Sequence, residues 1–515
     1  MLLSTSPALR ASFFALPPSL RRACYATATS PSASHPEIFD LVCVGGGPAG
    51  LSLISSLKSQ SSTKRLKIAL IDAQKLSAPP RTGDGDASGT REFSNRCSSL
   101  TPASVKFLKR IGAWENVEQG RVQAYTGMEV WDGVSGAKIN FDPMDRGRVA
   151  GVVESLGRLV PGSGFGRGAE DEGAGEVATM CENSNLTAAL VERVRGLEGV
   201  EVLDGTKVEG IELGPEKEKD GMSLDLSLWP VLRLPGNRKI AARLLVGADG
   251  ANSPVRTFAD IPSKGWDYNQ HGVVATLQLD QVQDVSAPRK AFQRFLPTGP
   301  IALLPLPGNK ASLVWSTTTA LASHLKSLPP AEFTAAVNAA FRLLTTDISY
   351  MLTHSTASQD LDWRESQTDL RALGLPQDFP RVDSVVSGSI ASFPLRMRHA
   401  STYTGHRIAL IGDAAHTIHP LAGQGLNLGL ADAESLARHL AIGMEAGMDI
   451  GSCWCLDGYG SDRWGKNNAV MGVVDKVGKV FGASAGPVVW ARSLGFNAVE
   501  RLGWVKGGLM RGASG

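Results

Sequence analysis

Apolar runs and their spacing divide this chain into short buried strands and amphipathic helices. Ile408-Ala409-Leu410-Ile411 is a compact, β-prone run that ends at Gly412-Asp413. Beyond Pro420, Gly423-Gln424-Gly425 opens a segment in which Leu426, Leu430, Ala433, Leu436 and Leu440 share one helical face. The pattern predicts an acidic residue at a strand's carboxyl end beside a glycine-rich helix start. Leu41–Val44 predicts another strand, running into Gly45-x-Gly47-x-x-Gly50 and helical positions Leu51, Leu53, Ile54 and Leu57. The strand after it, Lys67–Ile71, ends at Asp72. A further buried strand, Leu244–Val246, ends at Asp249-Gly250, with Ser253 placed to cap a helix.

Between these segments the periodicity changes. Met128–Asp132 and Lys138–Phe141 predict a hairpin. Glu201–Leu203, Val208–Leu213 and Leu224–Leu234 predict strands, and Glu182–Asn185 is expected to cap a helix carrying Leu186, Ala189, Leu190 and Val194. Ser98–Pro102 reads as a helix start with proline in the first turn. Val273–Leu279, Lys290–Leu296, Ile301–Leu306 and Ser312–Ser316, separated by Pro/Gly turns, predict an antiparallel sheet inserted between the other segments. Ala331–Leu343 is helical in pattern. Val470, Val473, Val474, Val477 and Val480 share a face, Gly486-Pro487 interrupts it, and a second helix follows from Ala491 to Val505. The stretches 78–90, 161–178 and 214–221 lack periodicity and read as loops or insertions.

The expected fold class is α/β (α+β overall): a Rossmann-like dinucleotide-binding domain of discontinuous segments, an inserted antiparallel sheet, and C-terminal helices. The expected domains are 37–120, 180–262 and 395–445 for the dinucleotide, 121–179 and 263–394 for the substrate, and 446–515 for the helices. Gly45 allows the tight turn, Gly47 lets a pyrophosphate reach the backbone, and Gly50 lets helix and strand pack closely. Asp72 falls about 20 residues past the last glycine, where a ribose-binding acid is expected. Asp249 and Asp413 are further acids at strand ends, and Arg96 is placed to meet a pyrophosphate or a flavin edge. At Gly423-Gln424-Gly425 the backbone N–H groups and the partial positive charge of a helix start suit an anion such as reduced flavin.

Composition narrows the class. The 515 residues hold 43% hydrophobic and 20% charged residues, with a net charge of +2, which argues against a nucleic-acid binder. No apolar run reaches the roughly 18–20 residues of a spanning helix. Residues 1–36 carry Arg10, Arg21 and Arg22 with no acid, the composition of a mitochondrial transit peptide. Its removal takes the net charge from +2 to −1. The six cysteines lack zinc spacing and read as free thiols; no metal is expected.

GGGPAG with Asp72, GADGANSPVR and GDAAHTIHPLAGQGLNLGL stand in order, and together they resemble the flavoprotein aromatic hydroxylases built like para-hydroxybenzoate hydroxylase. SNRCSSLTPASVKFLKRIGAWE, AFQRFLPTGPIALLPL and HPLAGQGLNLGLADAESL are similar to the ubiquinone-biosynthesis hydroxylases within that family. The tail NNAVMGVVDKVGKVF with the transit peptide resembles the mitochondrial branch. The resemblance implies FAD as cofactor, with Gly45, Gly47, Gly50 and Asp72 on its ADP half and Arg96 and Asp249 by the pyrophosphate. Asp413, following Gly412, falls on the ribityl chain, and Gly423, Gln424 and Gly425 face the isoalloxazine. It further implies C5 hydroxylation of a polyprenylated 4-hydroxybenzoate by O2 through a flavin C4a-hydroperoxide. Ferredoxin and ferredoxin reductase are the implied electron source. The implied setting is a quinone-biosynthesis complex, peripheral on the matrix side of the mitochondrial inner membrane. Two alternatives stand beside it: an NADPH-driven hydroxylase of another hydrophobic phenol, and a flavin-stabilised non-catalytic subunit. His416 and His419 lie by the flavin motif but read better as packed or solvated than as a base. Phe292, Phe295, Leu303, Leu304 and Trp315 are expected to wall an apolar groove or to be core. Lys476, Lys479, Arg492, Arg501, Lys506 and Arg511 form either a solvated basic face or a docking surface.

Overall fold

The computed structural model describes residues 36–76, 92–141, 175–216, 225–280, 289–353, 357–376, 378–418 and 423–482, with side chains through Lys476. The presequence before residue 36, the insertion at 78–90, most of those at 161–178 and 214–221, His419, and the helix expected at 491–505 lie outside the described residues. So do the side chain of Lys479 and the basic residues beyond it.

The described chain divides into two compact units. The smaller holds residues up to Ile38 and Val208–Ala242. There Gly210–Leu213, Pro230–Leu234 and the first half of Arg238–Gly247 form an antiparallel meander. The tight turn between the last two strands uses Gly236 (φ +75°) and Asn237 (φ +61°), the left-handed pair that matches strand twist. Leu226, Val231 and Ala241 form its small core. Of the strand expected over 224–234, only Pro230–Leu234 forms; Leu226 and Trp229 close a turn instead.

The larger unit holds Phe39–Lys207 and the chain from Arg243 onward. Its first sheet is Rossmann-like. Strand Ile408–Leu410 pairs in parallel with Leu245–Gly247, Leu41–Val44 with Ile68–Ile71, and Ile68–Ile71 with Val200–Leu203. These strands are apolar throughout because both faces are covered: Leu41, Val42, Cys43, Ile68–Ile71 and Leu244–Val246 are fully buried. Helices Pro48–Ser59, Asn183–Arg195 and Gln424–Glu445 pack on this core. Segments far apart in the chain thus share one sheet.

The second sheet contains Ser263–Leu279, Lys290–Leu296, Gly299–Pro305 and Lys310–Thr318, antiparallel as the pattern predicts. Gly127–Asp132 adds to it in parallel beside Lys290–Leu296, and Ala391–Ala400 adds along Ser263–Leu279. One face of this sheet is sealed by helices Thr319–Ser327, Pro330–Arg342, Thr345–Thr353 and Ala357–Ser366. Phe292, Leu303 and Trp315 belong to that core, and Phe295 and Leu304 to smaller clusters beside it. The groove-wall expectation for these five is therefore corrected: they are packing residues.

Side chains cap some helix starts and not others. Thr101 caps Pro102–Arg110 by accepting from Ser104 N, and Ser253 caps Pro254–Phe258 by accepting from Arg256 N. At Asn183–Arg195 no side chain caps the start. Glu182, expected in that cap, is instead buried against Arg121, with Nε–Oε2 at 2.6 Å. The isolated valine helix expected near residue 470 is the second half of one long helix, Cys453–Gly482.

Candidate functional site

The three glycine- or aspartate-bearing turns converge on one cavity of about 570 Å³. The first wall is the Gly45–Gly50 turn. Gly45 has φ +111°, and a Cβ there would land on the Ala248 carbonyl. A Cβ on Gly50 would land on the Gly45 carbonyl. Gly47, by contrast, faces open space, precedes Pro48 at the helix start, and lines the cavity with Pro48 and Ala49. Gly45 and Gly50 are thus packing requirements, whereas Gly47 is where a ligand meets bare backbone. Asp72 braces the turn: its Oδ2 accepts from Gly46 N at 2.6 Å and its Oδ1 from Gln74 N at 2.7 Å.

The second wall is Ala248–Gly250. Ala248 and Gly250 line the cavity, while the Asp249 side chain turns towards its own helix and accepts from Val255 N at 3.2 Å. Asp249 Oδ1 is buried without a protein partner. Burial raises this carboxyl above its usual range, opposed by Ser253 and Val255. Opposite lie Cys97, Ser98, Asn183 and Thr187. Arg96 is exposed; its backbone carbonyl accepts from Asn183 N, while its neighbours Cys97 and Ser98 line the cavity. Burial pushes the Cys97 thiol up to about 12.

The third wall comes from residues of 411–418 and 423–429. Gly412 adopts φ +58° and packs against Ala49 and Gly429; Asp413 then projects into the cavity. Asp413 is exposed to this open space, yet the protein crowded around it raises its carboxyl, and His416 opposes the rise. Gly423 (φ +64°) and Gly425 line the same space; Gln424 opens the helix between them without lining it. Asn427 fixes this helix start: its Nδ2 donates to Ser99 O at 2.8 Å and its Oδ1 accepts from Thr101 N at 3.0 Å. The Thr417 hydroxyl, also in the lining, is buried and unpartnered. The last wall is the strand segment Phe393–Arg396 of the second sheet.

An orphaned buried hydroxyl at Thr417, two helix starts and an acid facing one cavity, with a second orphaned oxygen at Asp249 beside its lining, fit a ligand with phosphates, a polyol and a flat ring system, as FAD has. Sequence reasoning missed a buried polar cluster behind the third wall. Asp432, fully buried, accepts from His416 Nε2 (2.6 Å), Gly412 N (3.1 Å), Arg463 Nε (2.9 Å) and Asn467 Nδ2 (2.9 Å). Burial alone would raise its carboxyl, but His416 and Arg463 outweigh that and hold it down at about 2. The available signal was an acid on the apolar face of its helix, four residues from both Leu428 and Leu436. His416 is packed, as expected. Among the described residues no group of three His, Cys, Asp or Glu side chains is arranged to hold a metal, and no helix is long and apolar enough to cross a membrane.

Residues 84–472 match the FAD binding domain family. The chain is 37% identical over 490 residues to the mitochondrial ubiquinone biosynthesis monooxygenase COQ6 of Saccharomyces cerevisiae, covering 92% of this chain and 93% of that one. Among solved structures it is similar to p-nitrophenol 4-monooxygenase PnpA of Pseudomonas putida DLL-E4, with a TM-score of 0.60 at 17% identity over 93% of this chain and 99% of that one. A variant of HpxO of Klebsiella pneumoniae complexed with FAD gives a TM-score of 0.57 at 16% identity over the same shares. The chain therefore belongs to the FAD-dependent monooxygenases of the para-hydroxybenzoate-hydroxylase type, related to the mitochondrial ubiquinone-biosynthesis enzymes, and it binds FAD.

Proposed function

We propose that this monooxygenase hydroxylates the ring of a polyprenylated 4-hydroxybenzoate at C5, in a mitochondrial quinone-biosynthesis complex on the matrix face of the inner membrane. The observation that carries the reading is the meeting, in one cavity, of Gly423 and Gly425 with the apolar strand segment Phe393–Leu395. A flat ring held there would meet bare backbone at Gly423 and Gly425 and apolar side chains at Phe393–Leu395. FAD supplies the oxygen-activating chemistry when bound. The chain's own groups bind and orient. Gly47 meets the ADP half on bare backbone, in a turn that Gly45, Gly50 and Asp72 shape, and Arg96 and Asp249 flank the pyrophosphate. Gly412 and Asp413 hold the ribityl chain, and the backbone of Gly423, Gln424 and Gly425 stabilises negative charge on the ring system. Segments 37–120, 180–262 and 395–445 serve the cofactor, while 121–179 and 263–394 serve the substrate. The relative named above is a mitochondrial ubiquinone-biosynthesis monooxygenase, which supports the same pathway and compartment here.

Incubating the purified protein with a short-prenyl 4-hydroxybenzoate and O2 tests this reading, with ferredoxin and its reductase in one arm and NADPH in the other. C5-hydroxylated product in the ferredoxin arm alone is expected. Product only with NADPH supports the second reading, a differently driven phenol hydroxylase, and no product in either arm supports a non-catalytic subunit. Asp413→Ala is expected to weaken FAD binding at least tenfold, or about 1.4 kcal/mol; full flavinylation of the purified variant overturns its assigned role. Lys476 is exposed on the long C-terminal helix. Lys476→Glu should slow ferredoxin-driven turnover and leave dithionite reduction unchanged; unchanged turnover overturns docking at this face.

A further inference from the structure

The long helix Cys453–Gly482 carries Tyr459, Arg463, Asn467 and Met471 at every fourth position, and all four are buried. Such a stripe is ordinarily apolar. Here its middle is a guanidinium and an amide, and both reach the same carboxylate oxygen, Asp432 Oδ1. Arg463 Nη2 also donates to Asn467 Oδ1 at 2.7 Å, so the two are fixed to each other. The other oxygen, Asp432 Oδ2, takes the Gly412 N–H and His416. Gly412 is the residue before Asp413, and its left-handed backbone sets where Asp413 points. Further contacts tie the same helix to the strand that leads into this turn and to a strand of the second sheet. Tyr459 Oη donates to Leu410 O at 2.6 Å, and Trp464 Nε1 donates to Ala400 O at 3.0 Å.

We infer that the C-terminal helix is a positioning element of the flavin site: Arg463 and Asn467 hold Asp432, Asp432 holds the Gly412 amide, and the Asp413 turn takes its cavity-facing form only with the helix docked. This rests on FAD occupying the cavity. A buried carboxylate that loses its cationic partner must shift, take up water or be protonated, and each weakens or redirects its hold on the Gly412 amide. Linkage then requires reciprocity: a docked helix favours the cofactor, and the cofactor favours the docked helix. The ADP half is held elsewhere, at Gly45–Gly50 and Asp72, and should not sense Arg463.

Binding of FAD and of ADP to the full-length apoprotein, for the unaltered chain, Arg463→Met and Arg463→Lys, tests the inference. Arg463→Met is expected to weaken FAD at least tenfold while ADP stays within twofold, with Arg463→Lys between. In the unaltered protein, FAD is expected to slow proteolysis within 453–482 at least fivefold, and ADP is not. The inference is overturned if Arg463→Met leaves FAD affinity within twofold, if it weakens ADP equally, or if FAD gives the helix no protection. Failure of the unaltered apoprotein to bind FAD at all would instead strike at the cofactor assignment.

Discussion

At the Gly45–Gly50 turn the backbone is shaped by its own glycines and by one acid reaching back from the next strand. At the Gly412–Asp413 turn the shape is imposed by side chains on two helices, one of them close to the C-terminal end of the described chain. Both turns face the same cavity. The first is secured by sterics, which tolerate almost no substitution but need no distant partner. The second is secured by a charge that has been taken out of water and depends on every donor around it.

The largest expected effect breaks the second turn. Asp432→Ala leaves Arg463 and His416 buried without their acceptor and should cost about 3–5 kcal/mol of stability, read by urea unfolding. Next is the first turn: Gly45→Ala puts a Cβ onto a backbone carbonyl at a left-handed φ and should cost roughly 3 kcal/mol. Two residues away the outcome should invert. Gly47→Ala has free space and an ordinary φ of −75°, so stability should stay within about 0.5 kcal/mol. FAD affinity should nevertheless fall about tenfold, which titration of the apoprotein measures. A Gly47→Ala variant as unstable as Gly45→Ala would erase the distinction between packing and ligand-facing glycines.

The smallest effect is a pH dependence confined to the second turn's surroundings. His399 stands 2.8 Å from the Tyr403 hydroxyl and stacks on Trp464; burial, aided by His416, lowers it to about 4. A lowered base favours the fold while neutral, so stability is full above about pH 6.5 and declines as pH falls towards about 4. For a half-buried ring the loss should be on the order of 1 kcal/mol. Asp432 works in a lower window. Its depressed carboxyl contributes fully above about pH 4, and that contribution is lost as pH falls towards about 2. His399→Gln should remove the upper slope and leave the lower one, as unfolding midpoints across pH 3–7 would reveal.

The first turn was legible in the sequence because strand, glycines, helix, strand and acid follow one another within a few dozen residues. Asp413 was legible for the same local reason. What held it was not, since Asp432, Arg463 and Asn467 signal only as polar residues where a helix face should be apolar, and pairing them requires tertiary structure. The groove-wall expectation failed for a related reason. Alternation gives which residues of a strand share a face but not what covers that face, and four helices of 319–366, three of them unforeseen, seal the side carrying Phe292 and Trp315. The cavity is bordered instead by Phe393–Arg396. Glu182 likewise sits where a cap residue belongs, yet the buried guanidinium of Arg121 claims it.

Arg463 and Asn467 are among the last described residues to be synthesised, and Gly45 and Gly47 are among the first. A nascent chain that has already formed its opening strand and turn still lacks the helix that braces the Gly412–Asp413 turn. If that helix positions the flavin site, firm loading waits until the chain has been made past Asn467. A transcript cut short after residue 450 would keep every glycine signature and lose the side chains that hold Asp432; on the inference drawn above, its grip on the flavin would go with them.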